Sequence, residues 1–206
     1  MALLIPQYQA YAHPHVWVQV RTEIVYGPNE TILGVRHNWT FDELYTTFAL
    51  QGMDQNGDGT YDQKELAPLL KVNIDSLKEF GYFTFSKTGG NPISHLEPQQ
   101  AEIKLDNFLI SLSFFLPLEK PIKADAAAYS FSVYDPSYYI SFTFENEMPM
   151  QLTSATPKGC QTQLIAPQKR VQNLMNMSES DFQALGVNFN FGGQFAQKVV
   201  LQCALG

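Results

Sequence analysis

The 206-residue sequence predicts an α+β fold, an antiparallel β-sandwich or curled sheet carrying an inserted helix–calcium loop–helix. Three observations carry this expectation. Apolar and polar residues alternate at strand period on both sides of the insertion, from Val16 to Thr40 and again beyond Gly81. Between Thr40 and Phe80 the period becomes helical on either side of an acid- and glycine-rich loop. Aromatic residues make up 13% of the chain, which suits a packed β-rich core, and no repeat or low-complexity linker divides it. Residues 1–12 therefore read as a tail and residues 13–206 as a single α+β domain with the insertion at 40–80.

Taken in order, MALLIPQYQAYA resembles the end of an export signal: a short apolar piece and then Ala10-Tyr11-Ala12, the small-x-small pattern cut by a signal peptidase, without a basic n-region. Cleavage near Ala12 makes His13 the new first residue. From His15, Val16, Val18, Val20, Thr22 and Ile24 share one face of a strand, and Gly27-Pro28-Asn29 turns it into a second strand over Thr31 to Thr40. Thr40 and Glu43 have capping-box spacing ahead of an apolar stripe of Phe41, Leu44, Tyr45, Phe48 and Met53. After the loop, Leu66, Leu69, Leu70, Asn73, Leu77 and Phe80 recur at helical spacing, with Pro68 near the helix start.

Strand character returns at Tyr82 to Ser86, Lys87 to Pro98 reads as loop, and Glu102 to Leu105 is a weak strand. Phe108, Ile110, Leu112, Phe114 and Leu116 form the inner face of a core strand. Tyr129, Phe131 and Val133, a turn at Asp135-Pro136-Ser137, and Tyr138 to Glu145 read as a hairpin. Gln161 to Ile165 and Val199 to Cys203 are short strands, and Gln168 to Met177 and Ser180 to Leu185 have helical character.

The stretch Asp54 to Glu65, DQNGDGTYDQKE, fits the twelve-residue calcium loop of an EF-hand place by place. Asp54, Asn56, Asp58, Thr60, Asp62 and Glu65 fall at places 1, 3, 5, 7, 9 and 12, with Gly59 at the sharp turn. Calcium is a hard cation that takes six to eight oxygens, and alternate carboxylates closed by a bidentate glutamate supply them. The alternative is a solvated acidic turn. Only one such loop is found, which favours a structural ion over a sensor pair.

Net charge is −7, which argues against nucleic acid and anionic membrane as partners and suits divalent cations. No apolar run reaches the length of a membrane-spanning helix. Cys160 and Cys203, 43 positions apart, suit a bridge pinning the last strand in an oxidising compartment; two buried free thiols are the alternative. The sequence contains no G-x-S-x-G, H-E-x-x-H or phosphate-cradling glycine loop, so catalysis is not expected. Four histidines are available to a transition metal: His13, His15, His37 and His95. His13 and His15 share one side of a strand. His37, the third candidate, falls near Val20 or Arg21 in a tight hairpin, some 17 Å from His15 at strand rise. His95, between Pro92 and Pro98, reads as a solvent-exposed loop residue.

The blocks AHPHVWV, VRHNWTFDELY, DQNGDGTYDQKELAPL, SLKEFGYFTF, VYDPSYYISF and GGQFAQKVVLQC resemble, in the same order, one bacterial family of unknown function. That family is labelled a periplasmic component of an uncharacterised ABC-type transport system and is associated with nickel-, cobalt- and zinc-type permeases. The resemblance implies a periplasmic metal-binding or accessory protein of divalent transition-metal transport, with Zn2+, Ni2+, Co2+ or Cu2+ as its cargo, an inner-membrane permease as its partner and Ca2+ as a structural ion. The alternative is a calcium-stabilised interaction module that docks on the permease and holds no transition metal itself.

Overall fold

The computed structural model describes residues 14–124, 128–145, 150–151, 156–168 and 190–203. Alternation produces β1 (Val16–Gly27), whose Val18, Val20, Thr22 and Ile24 are buried, and a turn at Pro28–Glu30 returns the chain as β2 (Thr31–Phe41). The hairpin is not continuous: Tyr26 pairs with Ile32 but Val25 with Gly34, which leaves Leu33 as a bulge. The bulge shifts side-chain parity, so Ile32 before it and Val35, His37, Trp39 and Phe41 after it all reach the core. It also sets His37 opposite Thr22, one residue beyond the place an unbroken hairpin would give.

Helix α1 (Glu43–Ala49) follows directly, and α2 (Gln63–Glu79) runs through Pro68. The N-cap of α1 is Asp42 rather than Thr40, which stays in β2; the Asp42 carboxylate accepts from Tyr45 N at 3.0 Å and from Trp17 N at 2.8 Å. That pair of bonds ties the helix start to β1. The expected apolar stripe of α1 is corrected in part: Leu44 and Phe48 are 74% and 72% exposed, while Thr46 is the buried residue. The Thr46 hydroxyl accepts from Ile110 N at 3.1 Å, which turns this face of the helix onto the sheet.

The remaining strands are β3 (Thr84–Thr88), β4 (Asn91–Ile93), β5 (Gln99–Asp106), β6 (Leu109–Lys123), β7 (Tyr129–Val133), β8 (Ile140–Phe144), β9 (Met150–Gln151), β10 (Cys160–Ile165) and β11 (Lys198–Cys203). The segment read as loop from Lys87 to Pro98 instead contains β4, joined to β3 through Gly89 and Gly90, whose φ values of 54° and 84° suit a two-residue hairpin turn. Phe108 is also corrected. With Asn107 it makes the left-handed turn between β5 and β6, at φ of 47° and 64°, and it is 89% exposed. Ile110, Leu112, Phe114 and Leu116 are wholly buried as expected.

Among the described residues the strands form two sheets, ordered β5-β6-β2-β1-β8, with β9 also on β1, and β10-β11-β7-β3-β4. Most neighbours are antiparallel, but β8 and β9 run parallel to β1. The expected β7–β8 hairpin is therefore replaced by a corner between sheets. Asp135 makes it: its carboxylate accepts from Ser137 N at 2.8 Å and Ile140 N at 3.0 Å, and backbone N–H groups held in this way bend the chain sharply. The helical stretches expected within residues 169–189 lie outside the described residues.

The two sheets meet through aromatic rings. Phe131 of β7 lies 6.3 Å from the His37 ring and 6.2 Å from Phe144 of β8. Within the larger sheet, Trp39 of β2 packs edge-on against Phe114 of β6 at 5.0 Å and backs those contacts. Large rings dominate burial free energy at about 25 cal/mol per Å² of apolar area, so these contacts hold the sheets together. Truncating Phe114 to alanine is expected to lower stability by about 3–5 kcal/mol, read as a fall in the urea midpoint without a change in slope.

Candidate metal centre

The loop between α1 and α2 is shaped by its own side chains accepting from backbone N–H groups. Asp54 accepts from Gly57 N at 2.7 Å and Gly59 N at 3.0 Å. Gly57 and Gly59 have φ of 73° and 77°, and nothing lies within 4 Å of where a Cβ would stand, so the demand for glycine is conformational rather than steric. Asn56 accepts from Asp58 N at 2.8 Å, and Asp58 from Thr60 N and the Thr60 hydroxyl, both at 2.7 Å. The Thr60 bonds hold the Asp58 carboxyl below its ordinary value.

The loop's second half is the start of α2. Asp62 is the N-cap and accepts from Lys64 N and Glu65 N at 2.8 Å, while the Glu65 carboxylate returns to Asp62 N at 3.1 Å, a reciprocal capping box. The other Glu65 oxygen reaches across the loop to Gln55 N at 2.9 Å. Glu65 is only 6% exposed, so the one carboxylate joins the two ends of the loop from a sheltered position. In this conformation every loop carboxylate faces backbone N–H groups, and among the described residues no three of His, Cys, Asp and Glu converge closely enough to hold a metal ion. The oxygen donors suit a hard cation by type and order; Asp54, Asp58, Asp62 and Glu65 would have to turn from N–H donors toward a common centre.

Five contacts fasten this unit to the sandwich and to itself, and all but one lacked a signal in the sequence. Besides the Asp42 and Thr46 bonds, Gln63 Nε2 donates to the Ile103 carbonyl at 3.0 Å, and Leu66 is buried against the core. Tyr45 donates its hydroxyl to Asn73 Oδ1 at 3.0 Å and so clamps α1 to α2; Asn73, the polar member of the α2 stripe, has that role. Asp42 alone had a readable signal, an N-cap residue type directly before a helical pattern.

Among the described residues the structure does not bring His15 and His37 together. His13 lies outside the described residues. His15 precedes β1, where its N–H donates to the Tyr139 carbonyl at 2.9 Å and its ring lies 4.7 Å from that of Tyr139. His37 is seven positions further along β1 by register, roughly 23 Å at strand rise, and has no exposed surface. Both its nitrogens are engaged: Nδ1 with Thr22 Oγ1 at 2.9 Å and Nε2 with Thr84 Oγ1 at 3.2 Å. The Thr84 hydroxyl already donates its one proton to the Tyr82 carbonyl, which makes Nε2–H the donor and leaves Nδ1 to accept from Thr22. His37 is thus a neutral core residue that links β1 and β2 of one sheet to β3 of the other.

His95 is corrected from a solvent-exposed loop residue to a half-buried one. It bridges Leu118 through the backbone, and its Nε2 lies 3.0 Å from Ser86 Oγ, itself 3.1 Å from the Tyr129 hydroxyl. Burial pushes the His37 imidazole down to about 3, with a smaller repulsion from His95, and burial pushes His95 down to about 4. Cys160 and Cys203, directly opposite each other on β10 and β11, form a disulfide.

The site belongs to a mostly β protein with a helix–loop–helix that is fastened to one sheet and rich in oxygen donors. The chain is a member of the family described as Protein of unknown function (DUF1007), whose profile matches residues 1–203. It is 28% identical over 193 residues to an uncharacterised protein of Haemophilus influenzae, covering 93% of this chain and 91% of that one. It is also 28% identical over 99 residues to an uncharacterised 15.5 kDa protein in the trpE 3′ region of Spirochaeta aurantia, covering 48% of this chain and 70% of that one.

The buried histidines set a pH window. Their folded pKa values lie below the unfolded value of about 6.5, so the unfolded chain binds more protons on acidification; their stabilisation is full above that value and falls as pH drops toward 4 and 3. Each is expected to cost about 2 kcal/mol between pH 7 and pH 5. Urea denaturation across that range should show the loss, and His37→Gln should remove about half of its slope; an unaltered slope contradicts the neutral-core assignment.

Proposed function

We propose that this chain is an exported, calcium-stabilised accessory module of a divalent transition-metal transport system, acting by docking on a membrane permease. The observation that carries the calcium part is the loop Asp54–Glu65. It places an oxygen donor at each coordinating position, a left-handed glycine at the sharp turn, and Asp62 and Glu65 on the first turn of α2. Closing such a loop around calcium relieves repulsion among four carboxylates and joins α1 to α2, and the ion therefore stabilises the folded chain by mass action. A single loop suits a brace rather than a sensor.

Export is supported by the Cys160–Cys203 disulfide, since such bonds persist in oxidising compartments. The transport role rests on the family resemblance. Between the two readings of that role, docking is favoured over direct metal carriage because His15 and His37 are far apart and both His37 nitrogens are occupied within the core. Zinc, nickel, cobalt or copper is then cargo of the partner, and a site at His13 and His15 is the second reading, carried by their two-residue spacing in the sequence.

Calcium at a hundred times its Kd is expected to add about 2.7 kcal/mol, a rise in Tm of roughly 5–11 °C for a chain of this size. Thermal melts with calcium, with magnesium and with a chelator check this: magnesium should restore little of the shift, and Glu65→Gln should weaken calcium binding at least tenfold in a titration. Identical melts with calcium and with chelator would sink the assignment.

A further inference from the structure

The loop is one end of a second feature that its chemistry does not use. On the solvent side of α1 and α2 a groove of about 510 Å³ is lined by Tyr45, Phe48, Met53, Leu69 and Val72. Phe48 and Val72 are 72% and 62% exposed, unusual for large apolar residues set side by side on two helices. The Tyr45–Asn73 bond holds the two walls at a fixed separation. Along α2 the groove continues past Asn73 and Ser76 into a second hollow of about 380 Å³ at Leu77 and Phe80. Leu69 to Phe80 spans roughly 17 Å at helix rise, the length of three turns of a partner helix.

Charge identifies the partner. Residues 42–80 contain eight acidic and three basic residues, a net −5 out of −7 for the whole chain, and a bound calcium ion leaves the segment negative. An insertion of net negative charge is repelled by an anionic bilayer, so a lipid surface is a poor occupant. A second copy, meeting the same face across a two-fold axis, would set like charges opposite one another. We propose that the groove receives an amphipathic helix about three turns long, with apolar anchors at i, i+3 or i+4 and i+7 and with lysine or arginine flanking them. It is the docking surface of the module described above and rests on that reading for the order of the loop, though none of the groove residues is a calcium ligand.

The test uses the full chain in saturating calcium and a fluorescein-labelled 18-residue leucine/lysine peptide patterned as an amphipathic helix, followed by anisotropy. Tight binding is expected, at least tenfold stronger than to a scrambled peptide of the same composition. The double substitution Phe48→Glu with Val72→Glu gives opposite signs for the two explanations. Apolar docking predicts at least a tenfold loss, whereas attraction by charge alone predicts tighter binding to a more acidic face. Phe48→Ser with Val72→Ser should also lose at least tenfold with an unchanged far-UV spectrum, because both side chains are exposed. Equal binding of the scrambled peptide, undiminished binding by the glutamate variant, cosedimentation with anionic vesicles, or a dimer broken by Phe48→Glu would each overturn the proposal. Calcium is scored separately by ion titration, so a chain that binds the ion but not the peptide overturns the groove and leaves the loop assignment standing.

Discussion

The one-residue bulge at Leu33 is the constraint on which the architecture depends. A strand buries alternate residues, yet Ile32 and Val35 both have to face inward, and only an extra residue between them allows it. Gly34 beside it admits β6 closely: a Cβ there would stand 2.3 Å from the Leu116 carbonyl oxygen. With parity reset, β2 sends Val35, His37, Trp39 and Phe41 into the space between the sheets, and β6 answers with Leu112, Phe114 and Leu116. The contact of His37 with Phe131 of the other sheet follows from that register.

His37 shows what the register costs and how the cost is offset. A neutral imidazole wholly removed from water keeps both nitrogens bonded by taking one hydroxyl from each sheet, Thr22 and Thr84. The bond to Thr84 crosses the core where the packing is otherwise apolar and non-directional, so it orients one sheet on the other, while Thr22 on the neighbouring strand holds the ring in place. Protonation breaks the arrangement, because an imidazolium has no lone pair to accept from Thr22 and has lost its hydration shell. The residue that at first looks like a metal ligand is better understood as part of what aligns the sandwich.

The helix–loop–helix is fastened to that body at several points and open at others. Asp42, Thr46, Gln63 and Leu66 tie it to the sheets, while Phe48 and Val72 face water. An acidic loop rich in oxygen donors and an apolar groove beside it are separate features of one insertion. A rigid body holding both gives the insertion a fixed orientation toward whatever approaches.

The sequence by itself determined the local features: β1 and β2, the core face from Ile110 to Leu116, the closing strand Val199 to Cys203, the helical period on both sides of the loop, and the order of oxygen donors within it. Each depends on side chains only a few positions apart, where period and turn chemistry are decisive. Tertiary structure alone decided that β7 and β8 belong to different sheets, that Phe108 sits on a turn, that Leu44 and Phe48 face out, and that His95 is sheltered by Ser86. Those outcomes depend on which distant strand offers a free edge or an apolar face, and no spacing within the segment records it. For the same reason His37 was read from the sequence only as a candidate ligand, because its two hydroxyl partners lie 15 positions before it and 47 after.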